Sequence, residues 1–228
     1  MGPFEASATV EGVIVEVKAD TGVLPAGVCM EVRAIVDEGE AAQIRETIEG
    51  QLDGGRVIRR INSYDISFWS YGEKAHSTDC ASLSGENCNC GSQSGKTLEI
   101  QPDNAKGSVT VTFREIEAED PEMLEVFHVD AQVESAETME ITAQADAVVF
   151  QAPHFSTYAL VELENAFEAG NGSRATPYEI KTVEQLENLS ALVAAGTTFE
   201  YKYFKLTSDL DLSGVCHPAG PGVEERCV

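Results

Sequence analysis

Apolar residues recur at every second position through most of the chain up to about Leu163, and that period belongs to strands. In ASATVEGVIVEVKA, starting at Ala6, Val13, Val15 and Val17 share one face with Glu16 and Lys18 between them, which predicts a half-buried strand. Gly22 and Pro25-Ala26-Gly27 punctuate, and Val28 to Ile35 is the next strand. The period changes once. Asp37 with Glu40 resembles a capping box, Ala41, Ile44 and Ile48 fall on one helical face, and Gly54-Gly55 stops the run, so one short helix is expected as a cap over an open end of the strand layers. Val57 to Ile61, Tyr64 to Trp69, Leu98 to Gln101, Ser108 to Phe113, Glu125 to Val129, Thr138 to Thr142 and Val148 to Phe150 then continue the alternation of strand and turn.

The strongest strand signal is AVVFQAPHFSTYALVE, Ala147 to Glu162. Pro153 breaks it, and Phe155 to Val161 follows with apolar residues at both parities, Phe155, Ala159 and Val161 on one side and Tyr158 and Leu160 on the other. A strand of that kind is covered on both faces. Residues 6–162 are therefore predicted to be a mainly β domain, an antiparallel β-sandwich with one inserted helix.

After an acidic, small-residue linker at 163–172 the pattern changes again. Thr182 and Gln185 form a capping box, Val183, Leu186, Leu189 and Val193 line one helical face, Gly196 ends the helix, and Tyr203 to Leu212 reads as a strand. Residues 215–228 carry neither period and are expected to be an irregular tail.

Charge narrows the choice of partner. Lys and Arg number 15 against 39 Asp and Glu in 228 residues, a formal net charge of −24, so nucleic acid and anionic membrane surfaces are repelled. No apolar run is long enough to span a bilayer, and Met1-Gly2-Pro3 lacks the basic start and apolar centre of a signal peptide. That opening is expected to be the edge of a fragment of a longer protein. No cofactor motif survives inspection: GSQSGKT, from Gly91, has three residues between its glycines where a phosphate-binding loop needs four.

Candidate chemistry is confined to two places. The first is a polar insertion at 76–96, where Cys80, Cys88 and Cys90 are disulfide candidates and, with His76, could supply four zinc ligands, although their spacing matches none of the common zinc patterns. A loop disulfide, unpaired thiols and zinc all stay open at this point. The second is His154-Phe155-Ser156 at the Pro153 break, where a hydroxyl and an imidazole flank one peptide bond. A purely structural alternative is that His154 ends a turn, Phe155 fills the core and Ser156 alternates outward.

Three stretches carry resemblances. The series ASATVEGVIVEVKADTGVLPAGVCMEV, SVTVTF, VFHVD and APHFSTYALVE resembles a β-sandwich module of large surface proteins of Gram-positive gut bacteria, over about residues 6–162. GNGSRATPYEIKTVEQLENLSALVAAGTTFEYKYFKLTSDLDLSG, with Gly170, Gly172 and Pro177-Tyr178, looks like the N-terminal cap and first rung, 173–214, of the right-handed β-helix of proteins with GLUG-type repeats. The first resemblance implies an extracellular, cell-surface or wall-attached bacterial protein and an oxidising setting, in which the loop cysteines pair. It also implies a non-catalytic spacer or adhesion module with neighbouring domains, whose ligand, a host molecule or a glycan, is unknown.

His154-Phe155-Ser156 is similar to the HFS cut site of self-cleaving sandwich domains in death-domain adaptors, netrin-receptor-like proteins, inflammasome sensors and the autoproteolytic nucleoporin. That resemblance implies a single-turnover N-to-O acyl shift: Ser156 Oγ attacks the Phe155 carbonyl, His154 takes the proton, and water hydrolyses the ester. Strain in the Phe155–Ser156 peptide is expected with it.

Overall fold

The computed structural model describes residues 2–52, 54–71, 96–130, 135–144 and 146–213, with the backbone of 216–217 and 226–227. The insertion carrying His76, Cys80, Cys88 and Cys90 lies outside the described residues. The chain divides into two units, residues 1–51 with 58–163 and residues 52–57 with 164–228.

The alternating opening is a hairpin rather than one strand. β1 (Phe4–Val10) and β2 (Val13–Ala19) pair antiparallel, with Val10 opposite Val13. The two loop residues, Glu11 at φ 49° and Gly12 at φ 84°, are both left-handed, as a two-residue primed turn requires. Only Gly12 advertises that turn in the sequence; a glutamate at its first position does not.

Two antiparallel sheets make up the first unit, in keeping with the predicted sandwich. One has the order β1, β2, β6 (Val109–Arg114), β10 (Ala147–Gln151), β9 (Ile141–Gln144). The other runs β3 (Val28–Ala34), β4 (Arg56–Tyr71), β11 (Thr157–Asn165), β7 (Leu124–Asp130), β8 (Ser135–Thr138), with β5 (Lys96–Glu99) also on β4. Val15, Val17, Val111, Phe113 and Phe150 from the first sheet pack with Tyr64, Ile66, Phe68, Val126, Tyr158 and Leu160 from the second in one core. The segments read as Val57–Ile61 and Tyr64–Trp69 are one 16-residue strand, β4, because Asn62 and Ser63 continue the ladder instead of turning. Conversely Thr138–Thr142 is not one strand. It divides between β8 and β9, which belong to different sheets, and the Met139 amide donates to the Val126 carbonyl at the crossing.

β11 comes last in the sandwich by sequence yet lies inside its sheet, between β4 and β7. Tyr158 and Leu160 enter the inter-sheet core, while Ala159, Val161 and Leu163 are buried on the opposite face. α1 (Glu38–Glu49) is placed against this sheet by contacts at its two edges. It is bonded to β3 at one edge through the Arg33–Glu40 pair and lies against β8 at the other, with Ile44 and Ile48 buried, so it crosses the outward face of the sheet instead of capping an end. Asp37 caps it by accepting from the Glu40 amide, and the Glu40 carboxylate is turned to Arg33, so only half of a capping box forms. The helix stops at Gly50, short of Gly54-Gly55.

In the second unit β12 (Tyr178–Ile180) pairs in parallel with β13 (Phe204–Leu206) across α2 (Val183–Ala194), whose Thr182–Gln185 capping box is complete. Phe167, Tyr178, Phe199 and Phe204 form its aromatic centre, packed with Leu186, Leu189 and Val57. Gly170 permits this packing: at φ +93°, a Cβ there would stand 2.0 Å from the Pro177 carbonyl oxygen. The strand expected over Tyr203–Leu212 is shorter, because β12 offers a partner only three residues long. β14 (Cys216–His217) and β15 (Arg226–Cys227) pair antiparallel with Cys216 opposite Cys227.

Candidate functional site at the Phe155–Ser156 peptide

Between β10 and β11 the chain makes a short bend, residues 152–156, that delivers His154, Phe155 and Ser156 to the entry of β11. Phe155 is 2% exposed and packs against Phe68 with ring centroids 4.2 Å apart. It thus joins Tyr158 and Leu160 in the inter-sheet core, not the Ala159 and Val161 side that a regular strand through 155 implies. Regular pleating begins only at Thr157, so parity counted back through Phe155 fails.

Ser156 then makes the contact that defines the site. Its Oγ lies 2.6 Å from Nε2 of His128. The register brings His128 close: His128 on β7 is opposite Tyr158 on β11, which sets its ring at the entry of that strand, where Ser156 stands. With its proton on Nδ1, His128 presents Nε2 as acceptor for the Ser156 hydroxyl. Burial, and then the charge of nearby His154, hold the His128 imidazole below its ordinary value, against a smaller opposing pull from Glu137 and Asp130. The ring is consequently neutral at neutral pH, the form that can take a proton.

His154 stands elsewhere. Its side chain is exposed, and its ring lies 6.1 Å from that of His128, centroid to centroid. The carbonyl of His154 accepts from the Tyr158 hydroxyl at 2.5 Å. Burial pushes the Tyr158 hydroxyl up, so it remains a donor across the physiological range. The residue read from sequence as the proton acceptor is therefore a neighbour of the imidazole that touches Ser156.

The four carbonyls of residues 153–156 are held. Asn104 Nδ2 donates to the Pro153 carbonyl at 2.8 Å, Tyr158 to that of His154, Gln101 Nε2 to that of Phe155 at 2.9 Å, and the Ile66 amide to that of Ser156 at 2.9 Å. The Phe155 amide in turn donates to Gln101 Oε1 at 2.8 Å. Strain expected from sequence is not visible as left-handed backbone: among the described residues other than glycine, positive φ occurs at Glu11, Glu115 and Tyr201. What the site has is immobilisation of the peptide, with a hydroxyl and a neutral imidazole on one side and an amide N–H on the carbonyl oxygen.

His128 does carry a signal in the sequence: in LEVFHVD it takes the inward parity set by Leu124 and Val126, where a polar side chain needs a partner. Gln101, at a loop beginning before Pro102, carries none. Elsewhere, Trp69 donates from Nε1 to Ser67 Oγ, and Cys29 is a buried residue of β3. Among the described residues no group of three His, Cys, Asp or Glu could hold a metal ion, and no helix is long and apolar enough to cross a membrane. No protein-family model, curated protein or solved structure matches the chain.

Proposed function

We propose that the sandwich is a self-processing module that breaks its own Phe155–Ser156 peptide bond once. The observation that carries this reading is the 2.6 Å contact between Ser156 Oγ and His128 Nε2, beside a carbonyl already held in place. Ser156 Oγ attacks the Phe155 carbonyl carbon as its proton passes to His128 Nε2. The C–N bond then breaks, the proton moves on to the Ser156 nitrogen, and an ester joins Phe155 to Ser156 Oγ. Water, which reaches the half-buried Ser156, hydrolyses the ester to a Phe155 carboxylate and a new amino terminus at Ser156. No cofactor enters these steps.

The cut would leave two pieces joined. Tyr158, Leu160, Val161 and Leu163, each 3% exposed or less, belong to the C-terminal piece and are buried by the N-terminal one. At about 1.5–3 kcal/mol for each large apolar side chain, their burial is worth on the order of 6–12 kcal/mol, besides the ladder bonds of β11 to its two neighbours. The setting we propose for this module is the one its resemblance implies, a longer extracellular surface protein in which the sandwich is a spacer between domains. Purified protein is expected to run on a denaturing gel as residues 1–155 and 156–228 and to elute natively as one species. Ser156→Ala should remain a single chain, and Ser156→Cys should still cut. A wild-type chain that stays intact through prolonged incubation at neutral pH would eliminate the proposal.

A further inference from the structure

We infer that Gln101 is a catalytic residue of this self-cleavage, donating from Nε2 to the oxyanion that forms on the Phe155 carbonyl oxygen; the inference rests on the self-processing reading above. The amide of Gln101 grips both polar atoms flanking Phe155, Oε1 accepting from its N–H at 2.8 Å and Nε2 donating to its C=O at 2.9 Å. Only one orientation of the amide allows this. Flipped, it would set an acceptor against the carbonyl and a donor against the N–H. The donor is consequently aimed at the reacting oxygen by a second bond that does not change during the reaction.

The loop behind Gln101 is itself held. The Ile100 amide donates to the Phe68 carbonyl at 2.7 Å, the Asp103 amide to the Val23 carbonyl at 3.0 Å, and Asp103 pairs with Lys106 at 2.7 Å. Such fixed donors stabilise developing charge best, because nothing has to reorient as the charge appears. When Ser156 Oγ bonds to the Phe155 carbon, the carbonyl π pair moves onto the oxygen, and the Gln101 N–H strengthens its hydrogen bond to that anion. As the pair returns, the C–N bond breaks and the nitrogen keeps its electrons, taking the proton that His128 carries. Ester hydrolysis passes through a second oxyanion at the same atom and uses the same donor.

Gln101→Glu separates the two arms. It keeps an acceptor for the Phe155 N–H, but at neutral pH it sets a carboxylate oxygen where the N–H donor was. Newly synthesised wild type, Gln101→Glu and Gln101→Met are followed at neutral pH by the appearance of the two pieces, and each substitution is also placed on a Ser156→Ala background to compare thermal midpoints of uncut protein. The expected result is cutting slowed by about 10²–10³-fold in both variants, the usual effect of removing one oxyanion donor, while the uncut variants, at a lowered midpoint, still unfold cooperatively above the assay temperature. A loss smaller than tenfold in either folded variant, with wild type cutting normally, overturns the role of Gln101 and leaves self-cleavage standing. A wild type that never cuts overturns both.

Discussion

The two histidines near Ser156 can be told apart by a single pair of substitutions. His128→Ala removes the imidazole that stands 2.6 Å from Ser156 Oγ, whereas His154→Ala removes an exposed ring from the neighbourhood and leaves that contact in place. A general base contributes about 10²–10⁴-fold, which at about 1.36 kcal/mol per decade is about 2.7–5.4 kcal/mol of barrier. His128→Ala is expected to slow cutting by that factor on the plateau above the midpoint, and by less at lower pH, where the wild-type ring is already protonated. His154→Ala is expected to act through charge alone. In wild type, burial and His154 both hold His128 below its ordinary value, so the rate should rise with pH to a midpoint below about 6.5 and level off above it. Removing His154 deletes the second of those causes and moves the midpoint upward, while at pH 8, where His128 is neutral in either chain, the rate should stay within a factor of about two. Chains made by cell-free synthesis with a radioactive pulse, chased at several pH values and resolved on denaturing gels, give these rates; mass spectrometry of the pieces assigns the new termini. If His154→Ala at pH 8 loses as much activity as His128→Ala, or His128→Ala cuts at the wild-type rate, His128 is not the base.

Two further outcomes test the frame around the site. On the uncut Ser156→Ala background, Phe155→Ala leaves a hole beside Phe68 in the inter-sheet core and should cost about 3–5 kcal/mol in urea unfolding; a loss under about 1 kcal/mol would mean that Phe155 is not packed as described. Cys216 and Cys227 are opposite one another in an antiparallel pair, where Cα atoms stand about 4.5–5.5 Å apart, within the range a disulfide spans. Non-reducing peptide maps after exchange with oxidised glutathione should contain a 216–227 cross-link, and full alkylation of both thiols in that sample would refute the register.

Sequence periodicity alone determined the class of the fold. Strand-period runs such as Val13–Val15–Val17 and the doubly apolar Tyr158–Val161 could bury their faces only between layers, and the helix period of Ile44–Ile48 and Leu186–Leu189 has no other use. Capping at Thr182–Gln185 was equally legible, because both partners lie within one turn and their bonds are local. His154-Phe155-Ser156 could be seen as a candidate for the same reason, three adjacent residues around one bond.

Tertiary structure decided the rest, since the deciding contacts join residues far apart in sequence. Nothing local distinguishes β8 from β9 as members of opposite sheets, or places α1 across a sheet face; each depends on which partner supplies the missing ladder bonds and apolar surface. The same holds at the site. His128 reaches Ser156 across 28 positions by virtue of the β7–β11 register, and Gln101 reaches Phe155 across 54 through a loop held by other bonds. A one-residue shift of that register would turn His128 to the opposite face of the sheet, so the proton acceptor at this peptide bond is a property of strand pairing and not of the adjacent histidine.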